Sequence, residues 1–207
     1  MQSALIYKMI SRVYDLLDVL YFRKAVTSPR TAVNQFLCDQ RLEILDVCTG
    51  TAVNAIGIAE KNSKANITGI DISKDMLKIA EKKVRKTGLP NIRLCEMDAT
   101  DTSFENEAFD IVLISLVLHE ISRNLAEKMI KEAKRVLKKN GRIIVVEWEK
   151  PRGTFQRIMF YPIQKMEPKG FEKFLNLDMN GFFKTCGLQI VHTRHCNYTK
   201  VIELDIV

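Results

Sequence analysis

The chain is 207 residues long, 46% hydrophobic and 28% charged, with a net charge of +7. That balance supplies the core of one globular domain and excludes a disordered chain, a collagen-like repeat and a disulfide-stapled miniprotein. A membrane span is not expected either, because the longest clean apolar run, residues 111–118, contains Ser115 and falls well short of roughly twenty apolar residues.

In chain order, residues 3–22 and 29–38 read as two helices. Leu5, Ile6, Met9, Ile10, Val13, Leu16, Leu17 and Leu20 give the first a broad apolar face, and Ser28-Pro29 is a start signal for the second. Residues 42–47 form a short buried-strand run, followed by a small-residue turn at 48–51 and a helix over 53–61. A strand at 67–71 leads to Ser73, an N-cap, with Met76, Ile79, Ala80, Lys83 and Val84 at helical spacing up to Gly88-Leu89-Pro90. Strands follow at 92–97 and 109–115. Ser122 caps a helix through residue 139, with Ala126, Ile130, Ala133 and Leu137 on one face; Asn140-Gly141 ends it before a strand at 143–148. After Pro151 comes a looser stretch containing Pro162 and Pro168, then a helix over 171–185. The β-rich runs 188–195 and 198–205, separated by Cys196-Asn197, read as a hairpin. Strands alternating with helices predict an α/β fold around a doubly wound, parallel sheet. The chain reads as a single domain, 1–207: a helical lid (1–40), a core (41–150), and a cap with terminal hairpin (151–207).

Charge follows this division. Residues 1–41 carry 6 Lys/Arg against 3 Asp/Glu, residues 42–149 carry 17 against 17, and residues 150–207 carry 9 against 5. The excess sits on the flanks, as a solvated surface or as an attraction for lipid head groups, nucleic acid or an acidic substrate. Cys38, Cys48, Cys95, Cys186 and Cys196 are odd in number and lack C-x-x-C spacing, which points to free thiols and a cytoplasmic location. Lys8 and Arg12 interrupt the N-terminal apolar run, so it does not read as a signal peptide. His192, His195 and Cys196 invite a metal reading, but positions 192 and 195 point to opposite faces of a strand. No metal is expected.

In an open parallel sheet, ligands bind beyond the carboxyl ends of the strands. There the sequence offers Asp46-Val47-Cys48-Thr49-Gly50-Thr51-Ala52, then Asp71, then Asp98-Ala99, then residues 115–120. A carboxylate at position 71 suits two ribose hydroxyls. A dinucleotide asks for G-x-G-x-x-G, whereas this turn has Gly50 with Cys48 and Ala52 in place of further glycines; a phosphate loop is absent too. S-adenosylmethionine, with ribose and adenine but no phosphate, fits the sequence best.

Residues 45–52, Gly69-Ile70-Asp71-Ile72-Ser73, Met97-Asp98-Ala99, Phe109-Asp110 and Leu137-Lys138-Lys139-Asn140-Gly141-Arg142 resemble, in order and spacing, the motifs of class I S-adenosylmethionine-dependent methyltransferases. The resemblance covers roughly residues 40–150. Tyr14-Asp15-Leu16-Leu17 and the Cys-Thr-Gly-Thr-Ala turn look like the ubiquinone/menaquinone-biosynthesis and methyltransferase-11-type group. It implies a Rossmann-like, mostly parallel seven-stranded sheet with a C-terminal antiparallel hairpin and an N-terminal helical lid. It also implies that Asp46, Cys48, Thr49 and Gly50 line the methionine end and that Asp71 holds the ribose. Ile72 and Met76 would pack on adenine, and Asp98 and Ala99 would meet its edge. Ser115 and Leu116 would lie under the amino-acid moiety, with Tyr14 reaching over from the lid.

His119-Glu120, just past the fourth strand, faces the space for a methyl acceptor. Either residue is a candidate base if the acceptor must lose a proton; otherwise they cap the next helix or line the pocket. The acceptor is expected to be small or lipid-like, in a pocket roofed by residues 1–30 and 152–175 with Tyr7, Tyr14, Tyr21, Phe22, Phe155, Phe160 and Tyr161 as walls. The basic N-terminal helix also suggests peripheral membrane contact through Lys8, Arg12, Arg23 and Lys24. Nucleic acid is disfavoured, because Asp/Asn-Pro-Pro-Tyr is absent after the fourth strand. A nicotinamide oxidoreductase is disfavoured by the glycine count, and a catalytically silent S-adenosylmethionine-binding regulatory module is the remaining alternative.

Overall fold

Alternation along the central strands builds two layers of core. Leu45 and Val47, Val112 and Ile114, and Ile143 and Val145 face one side of the sheet; Ile44, Ile111 and Leu113, and Ile144 and Val146 face the other. Burying each such side chain contributes about 1.5–3 kcal/mol, so both faces need helical cover. The computed structural model describes residues 28–37, 40–167 and 169–207. The helix expected over 3–22, with Tyr7, Tyr14, Tyr21 and Phe22, lies outside them.

The described elements are α1 (Pro29–Leu37), β1 (Glu43–Val47), α2 (Val53–Lys61), β2 (Asn66–Asp71), α3 (Lys74–Thr87), β3 (Ile92–Glu96), β4 (Phe109–Ser115), α4 (Arg123–Val136), β5 (Leu137–Trp148), α5 (Thr154–Met166), α6 (Phe171–Leu175), α7 (Met179–Thr185), β6 (Leu188–His195) and β7 (Thr199–Ile206). They form a seven-stranded sheet in the order β3-β2-β1-β4-β5-β7-β6. Strands β1 to β5 are parallel, and β7 runs antiparallel to both β5 and β6. The doubly wound sheet and its terminal hairpin are those expected.

Several expected signals act as read. Pro29 is the first residue of α1. Ser73 accepts from the Met76 N–H, Ser122 from the Leu125 N–H, and Gly88 closes α3 at φ 68°. Elsewhere the expectations need correction. Helix α4 ends at Val136, not at residue 139. The Glu107 and Ala108 N–H groups take the Arg135 and Val136 carbonyls at 3.1 and 2.8 Å, and Leu137 already pairs with Phe109 in the sheet. The stretch after Pro151 is not loose, because α5 spans it with Pro162 inside. Phe160 and Ile163 of α5 are buried with Trp148 and Phe171, while Phe155, Ile158 and Met166 lie on the exposed side. The single helix expected over 171–185 is two, broken where Asp178 caps α7 by accepting from the Gly181 N–H at 3.0 Å. Among the described residues, no helix is long and apolar enough to cross a membrane.

Candidate active site

Sheet order reverses between β1 and β4, and a cavity of about 490 Å³ opens beyond the carboxyl ends of those strands. Each strand-end loop gives it a wall. Cys48, Thr49 and Gly50 come from the first loop, Asp71, Ile72 and Met76 from the second, Asp98 and Ala99 from the third, and Ser115, Leu116, His119 and Glu120 from the fourth. Of the expected cofactor residues, only Asp46 and Tyr14 are missing from this list. Asp46 is buried behind the wall, and Tyr14 lies outside the described residues. The aromatic roof needs correction: Phe160 is core, Phe155 and Tyr161 are exposed, and none of the three lines the cavity.

The first wall is a turn in which Cys48, Gly50 and Ala52 have φ of 54°, 55° and 61°. A left-handed conformation costs a residue with a Cβ about 1–2 kcal/mol, so the two positions without glycine carry strain that Gly50 avoids. Gly50 donates its N–H to Asp71 Oδ2 at 2.9 Å, and Ser73 donates to Asp71 Oδ1 at 2.9 Å. Asp71 thus staples the turns after β1 and β2. Beneath them, the Thr49 hydroxyl donates to Asp46 Oδ2 at 2.5 Å. Burial first, then the Asp71 charge, pushes the Asp46 carboxyl up to about 7 against the opposing pull of that hydrogen bond. Burial also pushes Cys48 up to about 12, which suits a small neutral wall residue and not a nucleophile.

Gly69 of β2 sits where a side chain would press on this arrangement. A Cβ there would stand 2.9 Å from Thr49 Oγ1 and 3.0 Å from Leu94 Cδ2. Gly69→Ala should therefore push Thr49 off Asp46 and cost about 1–3 kcal/mol in urea unfolding. An unchanged midpoint would show that Thr49 yields freely.

The third loop is clamped to α4. Thr102 donates its N–H and hydroxyl to Glu132 Oε1 at 2.8 and 2.6 Å, and Arg135 reaches Glu132 and the Phe104 carbonyl. The Arg135 hydrogen bond leads in holding Glu132 down at about 2. Asp98 accepts from the Thr100 N–H and hydroxyl, both at 2.8 Å, which lowers its pKa.

The fourth wall carries residues that sequence reading missed. Glu147, fully buried on β5, accepts from the Val117 and Leu118 N–H groups at 3.0 and 2.7 Å, and its Oε2 lies 2.8 Å from His119 Nδ1. Glu167, just past α5, puts Oε2 at 3.2 Å from His119 Nε2. Burial works against the imidazolium, but the hydrogen bond to Glu147 and the close negative charges of Glu147 and Glu167 outweigh it and push His119 up to about 10. The one available signal was a lone carboxylate in the apolar run Ile143–Trp148. On the terminal hairpin, His195 Nδ1 lies 2.8 Å from Glu149 and His192 packs edge-on to Phe36.

The methyltransferase-domain family matches residues 44–141. Demethylmenaquinone methyltransferase of Geobacillus kaustophilus is 32% identical over 160 residues, covering 75% of this chain and 67% of that one. The chain belongs to the class I S-adenosylmethionine-dependent methyltransferases, in the group that holds the demethylmenaquinone enzymes. The enzyme of that name from Bacillus velezensis is 39% identical over 108 residues, 52% of this methyltransferase and 46% of that chain. Among solved structures, a SAM-dependent methyltransferase from Aquifex aeolicus shares the fold, with a TM-score of 0.76 and 19% identity over 97% of this chain and 98% of that one.

The cavity fits the cofactor on its own evidence. Its volume suits a drug-sized molecule, and space is open in front of Gly50, where a Cβ would meet nothing within 4 Å. Asp46 Oδ1 is buried without a hydrogen-bond partner among the described residues, so a carboxylate behind the wall can answer a positive charge in the cleft.

Proposed function

We propose that this methyltransferase methylates a quinol-like, lipid-like acceptor lying beside His119. The observation that carries the reading is the composition of that end of the cavity. Leu116, Val117, Ile121, Leu125 and Trp148 offer apolar walls, and His119 supplies a polar corner fixed by Glu147. Such walls suit a fused aromatic ring, and one rigid polar corner suits its oxygen. The names of the relatives support the same class. The exposed apolar side of α5, which no described residue covers, carries Arg157 and Lys165 on the same helix and suits an acceptor that arrives from a lipid surface.

Bound S-adenosylmethionine supplies an electrophilic methyl group on a sulfonium. The chain's work is alignment, which in methyl transfer accounts for much of the rate. In this reading Cys48, Thr49 and Gly50 hold the methionine end with Asp46 behind them. Asp71 accepts from the ribose, Ile72 and Met76 flank adenine, and Asp98 with the Ala99 N–H meets its edge. Ser115 and Leu116 support the amino-acid moiety. His119 and Glu120 orient the acceptor oxygen. Residues 41–150 then act as the cofactor core, with 1–40 as lid and 151–207 as an acceptor-side cap that contributes Glu167 to the cavity.

The test is transfer of labelled methyl from the cofactor to reduced short-chain naphthoquinols, with amines, thiols and nucleic acids as competitors. Label is expected on the quinol; label on an amine or nucleic acid alone would overturn the reading.

Asp46 adds a pH signature. Its folded pKa lies above that of the unfolded chain, so the ligand-free fold holds a proton that the unfolded chain has lost. This contribution to stability therefore declines as pH rises from about 4 to about 7. A cationic ligand favours the carboxylate, so cofactor binding should release a proton near pH 6 and none near pH 8.5. Affinity should climb by at most about tenfold per pH unit and level off above about 7. Calorimetry in buffers of different ionisation enthalpy reads the proton directly, and a buffer-independent enthalpy near pH 6 would count against the coupling.

A further inference from the structure

At the acceptor end, three side chains bring one potential ligand atom each to a common point. His119 Nε2, a Glu120 oxygen and a Glu167 oxygen all lie within 4.8 Å of one another. Nε2 is 3.8 Å from Glu120 Oε1 and 3.2 Å from Glu167 Oε2. The His119 side chain is 1% exposed, yet among the described residues Nε2 has no hydrogen-bond partner: Glu167 is within reach but not aligned as an acceptor. Ligands around an ion show this pattern, since each aims at the ion and not at its neighbour. Metal–ligand distances of about 2.0–2.2 Å leave adjacent ligand atoms roughly 3–3.5 Å apart. The other ring nitrogen is gripped by buried Glu147 at 2.8 Å, and Val117 and Leu118 fix that carboxylate in turn. A carboxylate behind one imidazole nitrogen, with the other turned toward a ligand position, is the usual setting of a metal-binding histidine.

We propose that His119, Glu120 and Glu167 bind a divalent transition-metal cation at the acceptor end of the cavity, the cation displacing the proton on Nε2 to solvent. One imidazole with two carboxylates suits Mn²⁺, Fe²⁺ or Zn²⁺, whereas an all-oxygen set would suit Mg²⁺ or Ca²⁺. Three protein ligands leave coordination positions open toward the cavity. An acceptor hydroxyl that loses its proton to water can fill one, and the cation stabilises the resulting oxyanion. An aromatic ring bearing an oxyanion is the better nucleophile toward an electrophilic methyl. That role rests on the quinol reading above; binding of the cation does not. The site also ties the end of α5 to the loop after β4. Sequence reading sought metal ligands on the terminal hairpin and expected none, because positions 192 and 195 point to opposite faces of a strand; Glu167, 47 residues beyond Glu120, has no spacing that would bring the two together.

The experiment titrates the chelator-stripped full chain with Mn²⁺ and with Zn²⁺, in the absence of cofactor and acceptor. One cation per chain is expected by elemental analysis. Mn²⁺ should quench Trp148, the only tryptophan, whose ring centroid is 6.5 Å from that of His119. Glu167→Gln and Glu120→Gln should each weaken Mn²⁺ at least tenfold, with circular dichroism and cofactor titration as folding controls. Glu120, whose side chain is 38% exposed, guards against a misfolded Glu167 variant. Failure to bind either ion at millimolar concentration, or parent-like affinity in both variants, overturns the proposal. A chain that binds the cation and methylates no quinol overturns the acceptor reading and leaves the site standing. A chain that binds neither ion yet methylates quinols does the reverse.

Discussion

Glu147→Ala should destabilise the chain by about 3–5 kcal/mol, the usual cost of breaking a buried charged pair from one side. Glu147 is fully buried and collects four donors: the Val117 and Leu118 N–H groups on Oε1, and the Trp148 N–H and the His119 ring on Oε2. Alanine leaves those donors facing a void. For a chain of this size each kcal/mol moves the melting point by roughly 2–4 °C, so a drop of roughly ten degrees is expected by calorimetry. Glu147→Gln separates shape from charge. Its carbonyl can keep Val117 and Leu118, but its amide then opposes the Trp148 N–H and the His119 ring, at a cost of about 1–3 kcal/mol. Cofactor affinity should change little in either variant, since Glu147 lies outside the cofactor walls. An alanine variant within about half a kcal/mol of the parent, the range of an ordinary surface change, would mean that the network does not stabilise the fold.

Glu147 also marks where legibility ended. The strand-end residues Asp71, Asp98 and Ser115 could be located because an open parallel sheet brings its carboxyl edges to one place, whatever the side chains between them do. The turn after β1 could be read because its composition is local: small residues cluster there, and Cys48, Gly50 and Ala52 all take left-handed backbone, which Gly50 adopts without strain. The polar network at His119 is different in kind. It joins a loop after β4, a residue inside β5 and one beyond α5, and no spacing rule connects positions 119, 147 and 167. Helix α5 was hidden for a second reason. Pro162 stands inside it, a residue that ordinarily breaks a helix, and the exposed Phe155, Ile158 and Met166 widen the apolar stripe that Phe160 and Ile163 bury. The end of α4 was misplaced by tertiary competition. Asn140-Gly141 is a good local stop, but residues 107 and 108 claim the carbonyls of the last turn first.

Asp71→Ala should weaken S-adenosylmethionine by about 1.5–3 kcal/mol, roughly ten- to 150-fold, the cost of losing hydrogen bonds to a charged group. The geometry adds a second route to the same loss. Asp71 holds the N–H of Gly50 on one oxygen and that of Ser73 on the other, so alanine releases the two turns from each other as well as removing a ribose acceptor. Asp71→Asn, which keeps one acceptor oxygen, should fall between alanine and the parent. Melting should change by little more than about 1 kcal/mol in either case, since each backbone donor is close enough to the cavity to find water. A further readout separates the charge of Asp71 from its hydrogen bonds. That charge helps to raise the Asp46 pKa, so both variants should move cofactor-linked proton release to lower pH, by a similar amount, while differing in affinity. Calorimetry reads the two effects in one experiment. Parent-like affinity in Asp71→Ala with the proton release shifted would leave Asp71 as a staple between turns, and the ribose would have to be held elsewhere.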